Sequence, residues 1–231
     1  MIGCIVFDFD GTLVVSNHIK LQVFYEITHS YDPSGSTVTR ILKQYPNKDR
    51  DGIFLEIAHE LLVKNQIPKH QSQEVLATQW AEDYTFSCEQ AIATCEEVPG
   101  TTETLRWISQ QNIPIFINSR TPTPTLNRLV TLRSFDRYAS KIYGAPATKT
   151  ENLWHIQNLS QAHFQEILFV GDSEDDRKAA LEVGCHFVGV VLGEQSRFSP
   201  PPPKPCITDL YQLQQIVKAL HVKDPQGNNT H

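Results

Sequence analysis

The sequence predicts an α/β fold in which a parallel sheet is covered by helices and one all-helical segment is inserted. Short apolar runs are spread along the chain, and stretches with helical periodicity separate the later ones. Such alternation of strand and helix is typical of a parallel sheet. The predicted strands are Gly3–Phe7, Pro114–Asn118, Lys141–Tyr143, Ile167–Val170 and Phe187–Leu192.

Helical periodicity supports the elements between these strands. Thr104, Leu105 and Ile108 would line one face of a helix before the second run. A second helix follows the fourth run, and Gly184 is suited to its C-terminal cap. Each predicted helix therefore lies where a crossover between parallel strands is needed.

Residues 17–96 break the alternation, because they carry apolar residues at helical spacing and few strand-like runs. We expect them to form an all-helical insertion, with Pro99-Gly100 marking the return to the sheet. The sheet domain would then comprise residues 1–16 and 97–222. The polar residues 223–231 are expected to form a disordered tail.

Composition narrows the possible partners. The chain has 231 residues, a formal net charge of −6 and a sequence pI of about 5.8, without a basic stripe. We therefore expect neither nucleic acid nor a membrane as a partner. We also expect no signal peptide and no transmembrane segment. The five cysteines are scattered without metal-ligand spacing, which predicts a cytoplasmic protein with reduced thiols.

The most informative motif lies at the end of the first strand, where Asp8 and Asp10 are one residue apart. Alternation along a strand would place both carboxylates on one face. Two close like charges need compensation, and Mg²⁺ is the usual cation for carboxylate oxygens. Gly11 would allow a sharp turn and close approach to a ligand. The alternative is a simple Asp-Gly hairpin turn.

Two further positions are ambiguous by themselves. Ser119 follows the second strand, where its hydroxyl could donate to a phosphoryl oxygen or cap the next helix. Lys149 follows the third strand and opens a helical stretch. Most lysines are solvated surface charges, but one at this place could offset paired aspartates and a phosphate.

The fourth signal is the acidic run after the fourth strand, Gly171-Asp172-Ser173-Glu174-Asp175-Asp176. Charge complementing the helix dipole accounts for Glu174 or Asp175. Asp172, directly after the strand, has the position of a metal ligand. Because ligands of open parallel sheets bind at the carboxyl ends of the strands, the four signals indicate one site.

These four motifs, in this order and spacing, resemble those of the haloacid dehalogenase-like hydrolase superfamily, specifically phosphoglycolate phosphatase-like members with a helical cap. The resemblance covers nearly the whole chain outside the tail. It implies a Rossmann-like three-layer αβα core, with residues 17–96 as the cap. It also implies a Mg²⁺-dependent phosphatase that acts on a small phosphorylated metabolite through an aspartyl-phosphate intermediate.

The resemblance further implies a role for each acidic residue. Asp8 would be the nucleophile, and Asp10 would act as general acid and then as general base. Mg²⁺ would be held by the Asp8 carboxylate, the Asp10 carbonyl oxygen and Asp172. Asp176 would stabilise this arrangement without binding the metal directly.

Charge on the transferring phosphoryl group would be stabilised by Ser119, Lys149 and backbone amides near Gly11. The second motif leaves its register open, so that either Asn118 or Ser119 is its functional residue. Asn118 and Arg120 are therefore also candidate phosphate or substrate contacts.

The cap would close over the site and set specificity, with Lys20 and Arg50 as candidate substrate contacts. The alternative for both is a surface charge. A phosphomutase on the same scaffold or a non-catalytic phospho-ligand binder are the alternative functions. A signalling receiver domain fits the order of motifs poorly. The sequence leaves the oligomeric state open between monomer and dimer.

Overall fold

The computed structural model describes residues 1–46, 48–68, 70–193 and 196–222, with side chains given as far as residue 220. The chain divides into two compact units. One contains residues 1–16 together with the chain from Cys95 onward, and the other contains Asn17–Thr94. The predicted tail, 223–231, lies outside the described residues.

A six-stranded, fully parallel sheet forms the first unit, in the strand order β3-β2-β1-β4-β5-β6. This confirms the predicted α/β, Rossmann-like fold class. The strands are β1 (Cys4–Phe7), β2 (Ile115–Pro122), β3 (Ala139–Ala145), β4 (Ile167–Gly171), β5 (His186–Val190) and β6 (Cys206–Ile207). The helices of this unit are α5 (Thr101–Gln110), α6 (Thr123–Leu132), α7 (Lys149–Ser160), α8 (Glu174–Val183) and α9 (Tyr211–Val222).

The central strands are buried on both faces, which is why they read as continuous apolar runs. Cys4 and Val6 of β1 share a core cluster with Phe169 of β4 and with the buried faces of α7 and α8. Since side chains alternate along a strand, every second residue of β1 faces these two helices. This face of the sheet carries the candidate site at its carboxyl edge.

The sixth strand was not predicted. Cys206–Ile207 pairs in parallel with Gly189 and Val190 of β5. It directly follows a proline-rich stretch, Pro200–Pro203 and Pro205. Two residues are too few to produce a recognisable alternation, and the neighbouring prolines are typical of a connecting segment rather than of a strand. The last helix, α9, follows β6 and begins at Tyr211.

The second unit is built from α1 (Asn17–Thr28), α2 (Ser36–Gln44), α3 (Arg50–Val63) and α4 (Gln73–Thr94). A turn after Thr28 separates the first two helices, and α2 begins at Ser36. Within this turn, the buried Asp32 carboxylate accepts hydrogen bonds from the backbone N–H groups of Thr37 and Val38, at 2.8 and 3.1 Å. It thereby satisfies donors that the start of α2 leaves without intrahelical partners.

Two buried cysteines behave as core side chains. Burial raises the pKa of the Cys4 thiol to about 11 and that of Cys185 to about 12. Both therefore stay protonated at neutral pH and pack in the core as small apolar groups. Among the described helices, none combines the length and the apolar character that crossing a bilayer requires.

Candidate active site

Asp8 lies at the carboxyl end of β1, against the end of β4. Its backbone N–H donates to the Val170 carbonyl at 2.9 Å, which continues the sheet pairing one residue beyond the strand. Because Asp8 lies two residues after Val6, its side chain lies on the same face of the sheet and faces α7 and α8. The following turn is closed by Gly11, whose φ of 75° favours glycine. The carboxylate is thus held on the helix-covered face, nearly excluded from water.

Lys149 reaches this carboxylate from the first residue of α7. The helix start is fixed by a capping box, in which Thr148 and Glu151 bond each other's backbone N–H groups. The Lys149 ammonium lies 3.1 Å from Asp8 Oδ1 and also donates to Asp176 Oδ1. A cation at a helix N-terminus is opposed by the helix dipole. The two carboxylates therefore explain its buried position.

Asp176 links Lys149 to the start of α8. Its Oδ2 accepts hydrogen bonds from the backbone N–H and the hydroxyl of Ser173, the former at 3.0 Å. The carboxyl group also occupies space that only a glycine leaves open. A Cβ added to Gly171, the neighbour of Asp8 across the sheet, would lie 2.4 Å from both Cβ and Cγ of Asp176.

Three buried carboxylates gather at this point. Oxygens of Asp8, Asp172 and Asp176 lie within 4.8 Å of one another. A compact set of carboxylate oxygens has the chemistry of a site for a hard divalent cation such as Mg²⁺. The residues present thus fit the ion that the sequence predicts. Asp176 was predicted to stabilise the metal site without binding the ion. One of its carboxylate oxygens lies in the same group as those of Asp8 and Asp172.

The electrostatics of the group are dominated by burial. Burial, together with Asp176, Asp172 and Asp10, raises the pKa of Asp8 well above its ordinary value, while Lys149 opposes the shift. Burial by itself would lower the pKa of Lys149, but Asp8 and Asp176 outweigh it and raise this pKa. Lys149 is therefore a fixed positive charge, and it favours the ionised form of Asp8.

Asp10 is held by two hydroxyl groups. Ser16 Oγ donates to one of its carboxylate oxygens at 2.7 Å, and Thr121 Oγ1 donates to the other at 2.9 Å. Both hydroxyls are buried. Since a hydroxyl can rotate to donate or accept, this pair can accommodate a charged or a protonated carboxyl group. Such a setting suits a group that passes a proton in both directions.

The second motif places two buried side chains in different surroundings. Asn118 donates from Nδ2 to the Lys149 carbonyl at 2.9 Å, and its Oδ1 accepts from Asn152 Nδ2 at 3.0 Å. Ser119 Oγ instead accepts the Thr121 backbone N–H at 3.1 Å. Helix α6 begins at Thr123 after Pro122, so the alternative of Ser119 as the cap of that helix is wrong.

The other predicted contacts lie at more exposed places. Arg120 lies near the end of β2, and its Nη1 is 3.7 Å from Oδ2 of Asp175 in the first turn of α8. Lys20 and Arg50 belong to the helical unit, on α1 and at the start of α3. Within that unit Arg50 donates to Asp51 and to Thr85. Their role as substrate contacts stays a prediction.

Several partners of these residues were missed from the sequence: Ser16, Thr121, Asn152 and Arg197. The last of these donates from Nη1 to Asp172 Oδ2 at 2.8 Å. Thr121 carried a usable signal, because it lies two residues after Ser119 at the end of the same apolar run. Arg197 carried none, since it lies in a polar loop 25 residues beyond its partner.

Solved structures share this architecture across almost the whole chain. A candidate β-phosphoglucomutase from Thermotoga maritima superposes with a TM-score of 0.72 and 16% identity, covering 95% of this chain and all of that one. The candidate HAD-hydrolase YfnB from Bacillus subtilis, described bound to magnesium, gives a TM-score of 0.69 at 14% identity, covering 93% of this chain and 98% of that one. At such low identity these likenesses establish the fold.

Sequence comparison adds a more direct relation. The chain is 31% identical over 96 residues to a phosphoglycolate phosphatase of Pectobacterium atrosepticum. That match spans 39% of this chain and only 41% of the length of the relative. A sequence profile described as haloacid dehalogenase-like hydrolase matches residues 5–190, which is most of the chain. This chain therefore belongs to the haloacid dehalogenase-like hydrolase family.

Proposed function

We propose that this protein is a Mg²⁺-dependent phosphatase that hydrolyses a small phosphorylated metabolite through an aspartyl-phosphate on Asp8. The observation that carries the proposal is the buried group of three carboxylates at the carboxyl edge of the sheet, with Lys149 joined to two of them. The likeness to a phosphoglycolate phosphatase supports the same activity. The five cysteines, all among the described residues, form no disulfide, which is consistent with action in the cytoplasm.

In the first half of the reaction, an Asp8 carboxylate oxygen attacks phosphorus while the bond to the leaving oxygen breaks. Asp10 donates a proton to that oxygen, and the alcohol departs. Lys149 favours the ionised nucleophile and offsets charge near the transferring group. Asn118 is engaged by the Lys149 carbonyl and Asn152, so we assign donation to a phosphoryl oxygen to the Ser119 hydroxyl.

In the second half, Asp10 accepts a proton from water as the water attacks phosphorus. The bond between phosphorus and the Asp8 oxygen breaks, which releases inorganic phosphate and restores the carboxylate. The hydroxyls of Ser16 and Thr121 hold Asp10 in place through both proton transfers. The starting state of the enzyme is thereby regenerated.

Mg²⁺ would be held by the Asp8 carboxylate, the Asp10 carbonyl oxygen and Asp172, with Asp176 beside these ligands, and would supply positive charge to the phosphoryl oxygens. The remaining residues bind and orient the substrate. We propose that residues 17–96 act as a cap with Arg50 and Lys20 as substrate contacts, while Arg120 approaches the phosphate. The predicted phosphate contact of Gly11 is not supported, because its backbone N–H donates to the Val14 carbonyl at 2.8 Å.

The proposal is tested by phosphate release from a panel of small phosphomonoesters, measured with Mg²⁺ and with EDTA. We expect turnover of at least one ester with Mg²⁺ and none with EDTA, since the carboxylate group needs the cation. Release that persists in EDTA would contradict the metal dependence. Binding of esters without any release would favour a silent binder, and interconversion of sugar phosphates would favour a phosphomutase.

Replacing Asn152 with alanine should slow the reaction without abolishing it. Asn152 lies behind Asn118, which in turn holds the Lys149 backbone, so its loss loosens Lys149. We expect kcat to fall roughly tenfold with little change in KM, equivalent to about 1.4 kcal/mol. Weaker contact with Lys149 lets the pKa of Asp8 rise further, so the acidic limb of the pH–rate profile should move to higher pH.

Asn158→Ala is the matched control, because Asn158 is an exposed asparagine on the same helix. This variant should keep the kcat and the pH profile of the parent. If Asn152→Ala loses thermal stability while its pH profile stays in place, the residue has only a packing role.

A further inference from the structure

Arg197 brings a second cation to the carboxylate group. It lies after β5 in a segment that pairs with Ser173 through an isolated parallel bridge, next to Asp172. Its Nη1 donates to Asp172 Oδ2 at 2.8 Å, although about half of the side chain remains exposed. Asp172 itself is buried. A half-exposed arginine from a loop is thus paired with a carboxylate deep in the site.

The charges of the group explain this contact. Asp8, Asp172 and Asp176 bring three acidic groups together, and Lys149 contacts Asp8 and Asp176. At Asp172 the cation that makes an ion pair is Arg197. Close carboxylates repel one another unless a cation lies between or beside them. Arg197 therefore compensates the charge of Asp172, as Lys149 does for Asp8 and Asp176.

Magnesium would use the same carboxylate. A divalent ion at Asp8 and Asp172 would bring two positive charges to within a few ångström of the guanidinium, and like charges that close repel. A metal ion could take Asp172 Oδ2 from Arg197, or bind the other oxygen, Oδ1, while Oδ2 keeps its charge-assisted hydrogen bond to the guanidinium. In either case the two positive groups share one carboxylate at close range. The two cations therefore act against one another.

We propose that Arg197 is an internal counter-ion that competes with Mg²⁺ for Asp172 and so weakens metal binding. The inference rests on the proposed function, because it assumes that the carboxylate group is a Mg²⁺ site. Arginine suits this role, since its guanidinium stays charged at all accessible pH values and its exposed half can swing into water. The competition would keep the carboxylate group compact when the metal is absent. It would also raise the Mg²⁺ concentration at which the site is half occupied.

The alternative is a purely structural role, in which Arg197 fastens its loop to the start of α8. Arg177 already provides such a link, because it pairs with Glu174 and donates to the Pro201 carbonyl. A structural anchor and a competing counter-ion predict different results. Loss of an anchor lowers stability and leaves metal affinity unchanged or weaker, whereas loss of a competitor makes metal binding tighter.

The test is isothermal titration of the metal-free, full-length protein with MgCl₂, comparing the parent, Arg197→Ala and the control Arg177→Ala. We expect Arg197→Ala to bind Mg²⁺ roughly three- to tenfold more tightly, as fits removal of one partly exposed ion pair. Arg177→Ala removes the same charge nearby and should keep the parental affinity. The rise in Tm on adding Mg²⁺ should also be larger for Arg197→Ala.

Each other outcome decides the matter. Equal or weaker Mg²⁺ binding by Arg197→Ala overturns the competition, and tighter binding by both variants assigns the effect to net charge instead. Both leave the phosphatase proposal intact if the parent binds Mg²⁺ and releases phosphate. If neither the parent nor Arg197→Ala shows a heat of binding or a Tm shift, the Mg²⁺ site itself is wrong and the proposed function fails with it.

Discussion

Replacing Asp8 with asparagine is expected to abolish phosphate release while making the metal-free protein more stable. An amide is nearly isosteric with the carboxylate but cannot attack phosphorus, so kcat should fall at least about 10³-fold. Phosphate release under saturating Mg²⁺ measures this loss. An ester that the parent turns over should still bind to the variant, because the rest of the site is unchanged.

The gain in stability follows from the direction of the pKa shift. Folding raises the pKa of Asp8, so the folded state holds its proton more tightly than the unfolded chain does. Ionised Asp8 therefore costs stability at pH values above its unfolded pKa, and this cost disappears as the pH falls through that value. At pH 7 Asp8→Asn removes the cost, while Lys149 keeps Asp176 as its buried carboxylate partner. An increase in Tm of about 2–4 °C corresponds to roughly 1 kcal/mol.

The control is Asp83→Asn, which changes an exposed aspartate in the helical unit. It should keep both parental activity and parental Tm. A metal-free Asp8→Asn protein that melts below the parent would contradict the electrostatic cost assigned to Asp8. Appreciable phosphate release by that variant would contradict the nucleophile.

Replacing Lys149 with methionine should cause the largest loss of stability. Methionine keeps much of the length and apolar bulk of the stem, but it leaves Asp8 and Asp176 buried without their cation. Removal of one partner from a buried ion pair costs about 3–5 kcal/mol. We expect the free energy of unfolding in urea to fall by this amount at pH 7, and phosphate release to fall below detection.

Lys141→Met is the matched control, since Lys141 is an exposed lysine of β3. A sharper test adds Asp176→Asn to Lys149→Met, which removes one of the two stranded charges. We expect the double variant to be more stable than Lys149→Met alone, because the two sites are coupled. If the change in unfolding free energy of the double variant equals the sum of those of Lys149→Met and Asp176→Asn, the ion pair does not account for the loss of stability.

The positions of Asp8, Lys149 and Asp172 in the fold could be predicted because each lies at an element boundary. Apolar runs define the strands, and the carboxyl ends of parallel strands must meet along one edge. The structure gathers Asp8 and Asp172 at that edge as the pattern indicates, and α7 begins at Lys149 itself. Local chain order thus carries most of this geometry.

Contacts that depend on loops and on packing between elements could not be predicted. Arg197 reaches Asp172 from a loop that carries no periodicity, and Asn152 meets Asn118 only because α7 crosses β2. The short β6 lacked enough residues to alternate. Nothing in the local sequence distinguishes such partners from surface polar residues, since their roles arise from distances across the fold.

Gly171 shows how a position without a side chain can belong to the reaction. Its conformation does not require glycine, since its φ is not positive. What the position supplies is room for the Asp176 carboxyl group. In a library in which every position is randomised, alanine at 171 would displace Asp176 and detach Lys149 from it. Such a screen would therefore rank this glycine alongside the acids, although it has no side chain of its own.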